Sequence, residues 1–582
     1  MNAESLLEHY EKMADAPDAI ARLRRFILDL AIRGKLVPQD PNDEPASELM
    51  KQIDREKARF AAEGKIRSAN PIETADAPAF QWHVPGSWAA VRVSNVLLSS
   101  FYGPRFGADE YTADGIPTIR TTDMTADGRI VLLDPPRVAV PKDRLNDFRC
   151  RDGDLLVTRT GSIGTMALFT GEILAIPSAY LIRLRFSQNV SPKYIHLVLR
   201  SPSGQNSLGL GTTKVAQPNI NAKAIATIPF TLPPLPEQHR IVAKVDELMA
   251  LCDQLETART TREATRDRLA AASLARLNTP DPETFADDAH FAFDALPALT
   301  ARPDQIKQLR QTILNLAVRG KLVPQDPKDE PAEELLKRIA EERDELVKSK
   351  VIRRDGLLDP VLATEHPFAI PATWSWARIG DVVHFTQYGT SQKSHPSEKG
   401  VPVLTMGNVQ DGRVVWSNEK RIPEDSSDLP DLYLRKYDLL YNRTNSAELV
   451  GKTGIYIGED RKRTFASYLI RLRPSLRWSA PHFINLAMNT SVFRETQIVP
   501  LIKKQTGQAN VNGSALKNML VPLPPLAEQH RIIAKVDELT SLCDRLETSL
   551  TTADDTRREL LDALLAKALA PVNAEHLQAA AE

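Results

Sequence analysis

The residues of this 582-residue chain that could do covalent chemistry do not form a recognisable catalytic motif. The string Gly451-Lys452-Thr453 resembles the end of a phosphate-binding loop, but that loop requires a glycine five residues before Gly451, where the sequence has Ser446. His239 and His530, each in the string Glu-Gln-His-Arg, have the side chain of a general base, but no nucleophile motif lies near them. We therefore predict a turn at Gly451, helix-terminus or interface roles for the two histidines, and no catalytic residues.

The cysteine and histidine content predicts no metal or disulfide chemistry. The three cysteines are an odd number without a Cys-x-x-Cys pair, and the eleven histidines lack metal-ligand spacing. The signature motifs of adenine methyltransferases, kinases, helicases and serine hydrolases do not occur in the sequence. The N-terminus lacks a basic segment followed by an apolar run, and no apolar stretch reaches about 18 residues. We expect a cytoplasmic protein with no metal and no cofactor in this chain.

The strongest pattern in the sequence is a tandem duplication. The segment at 27–41, ILDLAIRGKLVPQDP, returns at 313–327 with 13 of 15 positions identical, and the segment at 237–257 returns at 528–548 with 17 of 21 identical. Between these blocks lie two long segments that share only isolated landmarks, such as Arg-Thr at 159–160 and at 443–444. This pattern indicates that the near-identical blocks have the same scaffold role in both repeats. The divergent segments between them have a variable role, with a different result in each repeat.

The second block of each repeat has the heptad spacing of a long helix. Apolar residues step by four and three, which predicts an apolar stripe along one face. A helix of roughly 40 residues is about 60 Å long, so we expect the two long helices to pair with each other as an intramolecular antiparallel coiled coil. The predicted coiled-coil core consists of Ile241, Val245, Leu248, Cys252, Leu255, Ile532, Val536, Leu539, Cys543 and Leu546.

The divergent segments are rich in short β-type runs separated by glycine turns, which predicts an α+β fold. They hold 16 basic against 11 acidic residues and 20 against 13, although the whole chain has a formal net charge of -1. Two basic modules on an acidic scaffold are the charge distribution expected if the modules bind nucleic acid. Ordinary variation of surface charge is the alternative. In the string YLIRLR, which occurs in both modules, we expect Arg183, Arg185, Arg471 and Arg473 to lie on the solvated face of a strand.

At this point the sequence resembles a known family, the specificity (S) subunits of type I restriction-modification systems. The resemblance lies in ILDLAIRGKLVPQDPNDEPASELM, in the entry PPLPEQHRI to the long helix, and in variable segments that open at tryptophan and close at Gln-x-Asn-Ile-Asn in the first copy. It covers nearly the whole chain. In that family two target recognition domains each recognise half of a bipartite DNA sequence, while conserved helices set their separation and dock two modification subunits.

The resemblance implies a non-catalytic, DNA-recognising subunit. Its expected partners are double-stranded DNA, two copies of a modification (adenine methyltransferase) subunit and two restriction subunits, without a membrane. S-adenosylmethionine, ATP and magnesium are expected in those partner subunits. The expected domains are a helical block at 1–84, a recognition domain at 85–235, a spacer helix at 236–277, a linker at 278–302, a helical block at 303–370, a recognition domain at 371–526, a spacer helix at 527–570 and a tail at 571–582.

Candidate DNA-binding residues follow from the side chains that recognise base edges: Arg or Lys for guanine, and Asn or Gln for adenine. In the first module they are Arg120, Thr121, Thr122, Arg159, Thr160, Ser162, Thr213, Lys214, Gln217, Asn219 and Asn221. In the second they are Gln392, Lys393, Asn442, Arg443, Thr444, Asn445, Lys503, Lys504, Gln505, Gln508, Asn510 and Asn512. Residues shared by both modules suit phosphate contact or loop stabilisation, and unshared ones suit base recognition. For each single residue a solvated turn is the alternative.

Two alternatives stay open at this stage. Outward residues repeated on the two long helices, such as Gln238, His239, Lys244, Asp246 and Glu247, fit two equivalent docking surfaces for one partner, but recent duplication would also preserve them. The whole chain could also be an interaction scaffold whose modules bind proteins and not DNA. A fused nuclease or methyltransferase is disfavoured because no catalytic site is found.

Overall fold

The computed structural model describes residues 16, 18–65, 78–125, 127–160, 164–171, 173–211, 219–417, 419–505 and 508–569, with the backbone alone at 503–505 and 508. The chain forms two compact units. Unit 1 consists of residues 1–262 and 553–582, and unit 2 consists of residues 263–552. Each unit combines helices with small sheets, which confirms the predicted α+β class and the tandem organisation. Among the described residues, no helix has both the length and the apolar content needed to span a bilayer.

Unit 1 is built from one repeat and the end of the last helix. Its helices are α1 (Ala19–Ile32), α2 (Ala46–Ala62), α3 (Val93–Val96), α4 (Leu145–Phe148), α5 (Pro192–Arg200), α6 (Pro202–Leu210), α7 (Ala222–Ala226) and the first part of α8 (Leu235–Asn278). Its strands are β1 (Ala89–Arg92), β2 (Leu97–Tyr102), β3 (Tyr111–Ile119), β4 (Arg137–Val138), β5 (Leu155–Thr158), β6 (Met166–Leu168), β7 (Ile176–Pro177), β8 (Leu181–Phe186) and β9 (Pro229–Leu232). The central antiparallel sheet has the order β2-β8-β5-β6, beside the sheet β4-β3-β7 and the pair β1-β9.

Unit 2 repeats this plan with additions. Its helices are α9 (Phe285–Asp294), α10 (Leu296–Leu299), α11 (Pro303–Val318), α12 (Ala332–Lys348), α13 (Ile379–Val382), α14 (Leu429–Leu432), α15 (Pro481–Met488), α16 (Ser491–Phe493), α17 (Gly513–Asn518) and most of α18 (Leu526–Leu569). Its strands are β10 (Ser375–Arg378), β11 (Val383–Tyr388), β12 (Val401–Leu404), β13 (Val409–Gln410), β14 (Arg413–Val414), β15 (Lys420–Ile422), β16 (Leu439–Asn442), β17 (Thr444–Asn445), β18 (Thr453–Ile455), β19 (Thr464–Phe465), β20 (Leu469–Pro474), β21 (Lys503–Gln505), β22 (Gln508–Asn510) and β23 (Leu520–Leu523).

The sheets of unit 2 follow the same core with more strands. The central sheet has the order β11-β20-β16-β18-β14-β13, and the pair β10-β23 corresponds to β1-β9. A second sheet has the order β15-β12-β19, and a third, β17-β22-β21, continues from the end of the central strand β16. In both units β-branched and leucine residues of the central strands are fully buried, so these strands are the rigid base from which the loops project.

The heptad positions of the long helices pack into the core of their own unit. Ile241, Val245 and Cys252 of α8 are buried in one cluster with the α1 helix and the central sheet of unit 1, and Leu248 packs against it. Equivalent residues of α18 do the same in unit 2, whereas Leu546 is 38% exposed. The prediction that these positions form the seam between the two long helices was therefore wrong for the residues that lie in these clusters. A heptad stripe shows that a helix face is covered, but it does not identify the covering element.

Each unit also contains the end of the long helix that belongs to the other repeat. In unit 1, Leu561 of α18 packs with Ala16 and Ala19, and Asp562 pairs with Arg22 of α1. In unit 2, the end of α8 packs on α9 and α10. The segment predicted as a linker, 278–302, is therefore largely helical, because the apolar residues of α9 and α10 cover the end of α8. The pairing of α8 with α18 stays a prediction.

The buried His196 of unit 1 predicts a pH dependence of stability. It lies on α5 close to Gly128, its Nε2 has no hydrogen-bond partner among the described residues, and burial lowers its pKa to about 4. Between pH 4 and about 6.5 the unfolded chain binds the proton more readily, so the free energy of unfolding falls as the pH falls through this window. The expected loss for unit 1 between pH 7.5 and pH 5 is about 2 kcal/mol.

The second repeat supplies the matched variant for this measurement. Asn485 occupies the equivalent position in unit 2 and donates from Nδ2 to the Gly412 carbonyl oxygen at 2.7 Å. His196→Asn should therefore remove most of the difference between the urea midpoints of unit 1 at pH 7.5 and pH 5. An equal pH difference in the variant would show that other groups cause it.

Candidate nucleic-acid interface

One group of side chains recurs at the same end of the central sheet in both units. In unit 1 Tyr102 ends β2, and the guanidinium carbon of Arg159, just after β5, lies 5.1 Å from the centre of its ring. In unit 2 the corresponding distance between Arg443 and Tyr388 is 4.9 Å. The Nε atoms of both arginines are buried without a hydrogen-bond partner among the described residues. Each guanidinium is thus oriented by an aromatic ring, in contacts typical of cation–π pairs.

The tyrosine hydroxyls tie this group to a short helix. The Tyr102 hydroxyl oxygen accepts from the Ala222 backbone N–H at 2.9 Å, and that of Tyr388 accepts from the Gly513 N–H at 2.6 Å. The glycine after each tyrosine is required by close packing, since a Cβ at Gly103 would lie 1.9 Å from the Ser178 carbonyl oxygen. The structure therefore brings the Arg-Thr landmarks together with the asparagines of the Gln-x-Asn-x-Asn landmarks, which lie far from them in the chain.

The shared asparagines of these landmarks have structural partners. Asn221 Oδ1 accepts from the Ala224 N–H at 2.8 Å, and Asn512 Oδ1 accepts from the Ala515 N–H at 2.8 Å, so both residues are N-caps. Asn510 lies opposite Thr444 in the β17–β22 ladder, and Asn219 forms an isolated bridge with Thr160. These contacts favour the loop-stabilising role over the base-recognising role for the shared residues.

The two caps predict a modest and separable loss of stability. Asn512→Ala should lower the free energy of unfolding of unit 2 by about 1 kcal/mol, because one N–H at the start of α17 loses its acceptor. Asn512→Ser, which keeps an acceptor at the cap, should lose much less. Chemical denaturation of the full chain measures both variants, and equal losses in the two would remove the capping explanation.

The first loop predicted for DNA is held by an internal ion pair. Arg120 donates from Nη2 to Asp123 Oδ1 at 2.8 Å and from Nε to Asp123 Oδ2 at 3.1 Å. Thr121 and Thr122 lie on the one-turn 3-10 helix that follows. In unit 2 the equivalent turn at 405–408 is closed by Asn408, whose Oδ1 accepts from the Thr405 N–H at 2.8 Å. The same turn thus presents different side chains in the two units.

The unit 2 candidates divide into exposed and buried residues. Gln392 and Lys393 are exposed, and Gln392 Oε1 accepts from the Ser426 hydroxyl at 2.6 Å. Asn442 was wrongly predicted to contact DNA, since it is 1% exposed. Asn442 is the last residue of β16, and its side chain points inward. Its Nδ2 donates to the Leu449 carbonyl oxygen at 3.4 Å.

Several predicted residues lie outside what the structure describes. This holds for Ser162, Thr213, Lys214 and Gln217. The backbones of Lys503, Lys504 and Gln505 form β21, which pairs with β22 in register Gln505 to Gln508. This lysine-bearing hairpin is joined through β22 to β17, so its backbone lies beside the Arg443 landmark. Asn445, also on β17, accepts from the Ser446 N–H at 2.8 Å.

The four arginines of the YLIRLR strands are not on a solvated face. Arg183 and Arg471 are 5% and 1% exposed, and each donates to backbone carbonyl oxygens of a neighbouring loop, for example from Arg471 Nη1 to the Tyr433 oxygen at 2.7 Å. Burial lowers the pKa of Arg471 to about 10, although Asp438 opposes the shift. Arg185 and Arg473 donate in bidentate fashion to Asp154 and Asp438, at 2.6 and 2.7 Å in each case. These residues hold the sheet and its loops together.

The identical scaffold blocks contact each other inside each unit. In unit 1, Glu237 at the start of α8 accepts from Trp88 Nε1 at 3.0 Å and from Gln39 Nε2 at 3.5 Å. In unit 2, Glu528 accepts from Trp374 and Gln325 at 2.9 and 3.0 Å. Burial raises the pKa of Glu237. Packing therefore explains why part of each block is preserved.

Gln238 belongs to this buried set and was wrongly expected to face outward. Its Oε1 accepts from the Ser191 N–H at 2.9 Å, and its side chain is fully buried. His239, Asp246 and Glu247 are exposed as expected.

Comparison with known proteins agrees with this arrangement. The family model described as the type I restriction modification DNA specificity domain matches twice, at residues 87–265 and 371–553. The chain belongs to the family of type I restriction-modification specificity subunits. It is 30% identical to the EcoAI specificity subunit of Escherichia coli, over 94% of this chain and 93% of that protein. It is 29% identical to the EcoEI specificity subunit of Escherichia coli, over 94% of each chain.

A solved structure was also matched. The HsdS subunit from Thermoanaerobacter tengcongensis has 18% sequence identity, a TM-score of 0.42, and coverage of 84% of this chain and 98% of that chain. The two matched segments of the family model coincide with the two modules that carry the Tyr–Arg groups, so the family domain includes the group, its supporting sheet and the first part of each long helix.

Proposed function

We propose that this chain is the DNA sequence-recognition subunit of a type I restriction-modification complex, with each module recognising one half of a bipartite target. The observation that carries the proposal is the shared Tyr–Arg group, which supports loops that differ between the units. A shared framework suits contacts to the phosphate backbone, which are the same at any sequence, and unshared loops suit base edges. Because the two sets of loops differ, the two half-sites should differ.

The separation of the half-sites is the second element of the proposal. Two recognition modules related by a pseudo-twofold axis would contact successive major-groove faces, which are about 34 Å apart. The helices α8 and α18 have 44 residues each, about 66 Å, and are long enough to set this distance as an antiparallel pair. The end of each long helix lies in the unit of the other repeat, which supports that pairing.

Docking of two modification subunits is supported by where the repeats remain identical. The segment 34–43, in which residues 35 and 38–42 are exposed, matches 320–329 at nine of ten positions. At the start of α8 the exposed Ala243 and the half-buried Lys244 recur as Ala534 and Lys535. The neighbouring helices α2 and α12 match at only six of 17 positions. Recent duplication would have preserved all of these surfaces equally. Selective identity of exposed residues is better explained by two copies of one partner.

We assign no catalysis to this chain. Methylation of adenine and ATP-dependent cleavage, with their S-adenosylmethionine, ATP and magnesium, would belong to modification and restriction subunits. Methylation of a stacked adenine requires its extrusion from the duplex, so the two modules would hold the DNA while a partner acts. A protein-interaction scaffold without DNA binding is the alternative, and the excess of basic over acidic residues in both modules weighs against it.

The proposal is tested by genome-wide adenine methylation in a methylation-deficient host that expresses this chain with its modification subunit. We expect one split, asymmetric motif. Replacing residues 85–235 with the corresponding module of another family member should change one half of the motif only. Methylation without a split motif, or a stable complex that does not methylate DNA, would favour the scaffold alternative.

A further inference from the structure

The connection between β16 and β18 in unit 2 is longer than the equivalent connection between β5 and β6 in unit 1. Eight residues separate the paired Val157 and Met166 in unit 1, and eleven separate the equivalent Tyr441 and Thr453 in unit 2. The longer loop contains the string Ala-Glu-Leu-Val at 447–450, which Asn445 and Ser446 separate from the Arg-Thr landmark at 443–444. Glu448 and Leu449 are exposed at the tip of this loop.

The backbone of this loop is held by hydrogen bonds from one arginine side chain and by a local turn. Arg494, in the π-helical turn Arg494–Ile498, donates from Nη1 to the Val450 carbonyl oxygen at 2.8 Å and from Nη2 to the Ala447 carbonyl oxygen. Inside the loop, the N–H groups of Leu449 and Val450 both donate to the Ser446 carbonyl oxygen at 3.0 Å.

A glycine and a hydrophobic contact complete the support. Gly451 has a φ of +92°, and a Cβ there would lie 2.3 Å from Ile498 Cδ1, so only glycine lets the loop close onto the π-helical turn. A loop held by an arginine, a local turn and a tight glycine contact loses little conformational entropy on binding. This is the support that a recognition element requires.

Glu448 is an exposed carboxylate on a module with an excess of basic residues. The module carries 20 basic and 13 acidic residues, and the lysine-bearing β21–β22 hairpin pairs with β17, from which the loop projects. Glu448 makes no ion pair with any described residue. A carboxylate that only repelled phosphates would weaken DNA binding at this place, whereas a carboxylate that reaches a base edge accepts a hydrogen bond there.

We propose that Glu448 is a specificity-determining residue of the second module, which accepts a hydrogen bond from the N4 amino group of a cytosine in the major groove. A carboxylate accepts only, and cytosine N4 is a donor, whereas the N6 donor of adenine lies beside the N7 acceptor. Arg494 is a positioning residue that fixes the loop. This inference rests on the proposed DNA-recognition function and names one chemical contact within it.

The test uses the full chain with its modification subunit. Methylation motifs are determined for the wild type, Glu448→Ala and Glu448→Gln, and binding to the wild-type target is measured at fixed salt. Glu448→Ala should weaken that binding about 10- to 100-fold and relax one cytosine position. Glu448→Gln should shift this position toward adenine, because a carboxamide both donates and accepts. The half-site of the first module should not change.

Glu459→Gln is the matched control, since it removes the same charge from an exposed residue beyond the other end of β18. It should leave the motif and the affinity unchanged. Unchanged motif and affinity in Glu448→Ala, or a change confined to the other half-site, would overturn the inference while the proposed function stands. A wild-type complex with no split motif would overturn both.

Discussion

Asp154→Asn is expected to destabilise unit 1 by about 3–5 kcal/mol, because it removes the only carboxylate within ion-pairing distance of two arginines that the sheet buries, among the described residues. Asp154 is 1% exposed. It accepts from Arg185 Nε and Nη2 at 2.7 and 2.6 Å and from the Arg151 N–H at 2.8 Å. Asparagine keeps an acceptor of similar size but leaves the guanidinium charges of Arg183 and Arg185 without compensation.

The duplication supplies a matched experiment in the same molecule. Asp438 occupies the same position in unit 2, is also 1% exposed, and pairs with Arg473 at 2.6 Å. Scanning calorimetry of the full chain should show that each substitution lowers the transition of one unit more than that of the other. The exposed pair Lys244–Glu247, at 2.9 Å, is the control, and Glu247→Gln should cost less than about 0.5 kcal/mol. A loss below about 1 kcal/mol in Asp154→Asn would contradict the buried-charge explanation.

The same arginines show where sequence reasoning reaches its limit. The alternation in YLIRLR correctly predicts a strand and places the arginines on one face, since successive side chains point to opposite sides. It does not reveal that a loop and a carboxylate distant in sequence cover that face. Arg183 and Arg471 therefore looked solvated, although their partners are the carbonyl oxygens of residues 147–149 and the Tyr433 and Asp431 oxygens. A strand pattern gives orientation, and tertiary contacts decide burial.

The shared framework of the candidate site was predicted more accurately than the residues that would recognise bases. The landmarks at 159–160 and 219–221 were identifiable because both modules keep them, and the structure brings them together through the Tyr102 hydroxyl and the Thr160–Asn219 bridge. Asn442 was misassigned because a polar residue next to Arg443 has the same sequence signature whether it turns outward or inward. The turn at Gly451 was predicted, but a recognition role for residues 447–450 was overlooked, although its signal, a difference in loop length between the repeats, is present in the sequence.

Ala243→Arg is expected to reduce the number of bound modification subunits from two to one, and Ala243→Arg with Ala534→Arg is expected to abolish their binding. Both alanines are exposed at identical positions on α8 and α18. An arginine on an exposed helix face is compatible with helix formation, so the fold should be retained. A large side chain in the centre of a docking surface prevents close approach, however. Native mass spectrometry of the purified complexes counts the bound subunits directly.

A control on the same helix separates a docking surface from a general effect of added charge. Ala258 is also exposed on α8, but its counterpart in the second repeat is Ser549, so it lies outside the preserved surface. Ala258→Arg should leave two modification subunits bound. Single variants that keep both subunits would show that this surface is preserved for another reason. Recent duplication would then be the better explanation. If each single variant loses one subunit, then each repeat carries its own docking surface. The two half-sites of the target would then each have a methyltransferase held beside them by the same contacts.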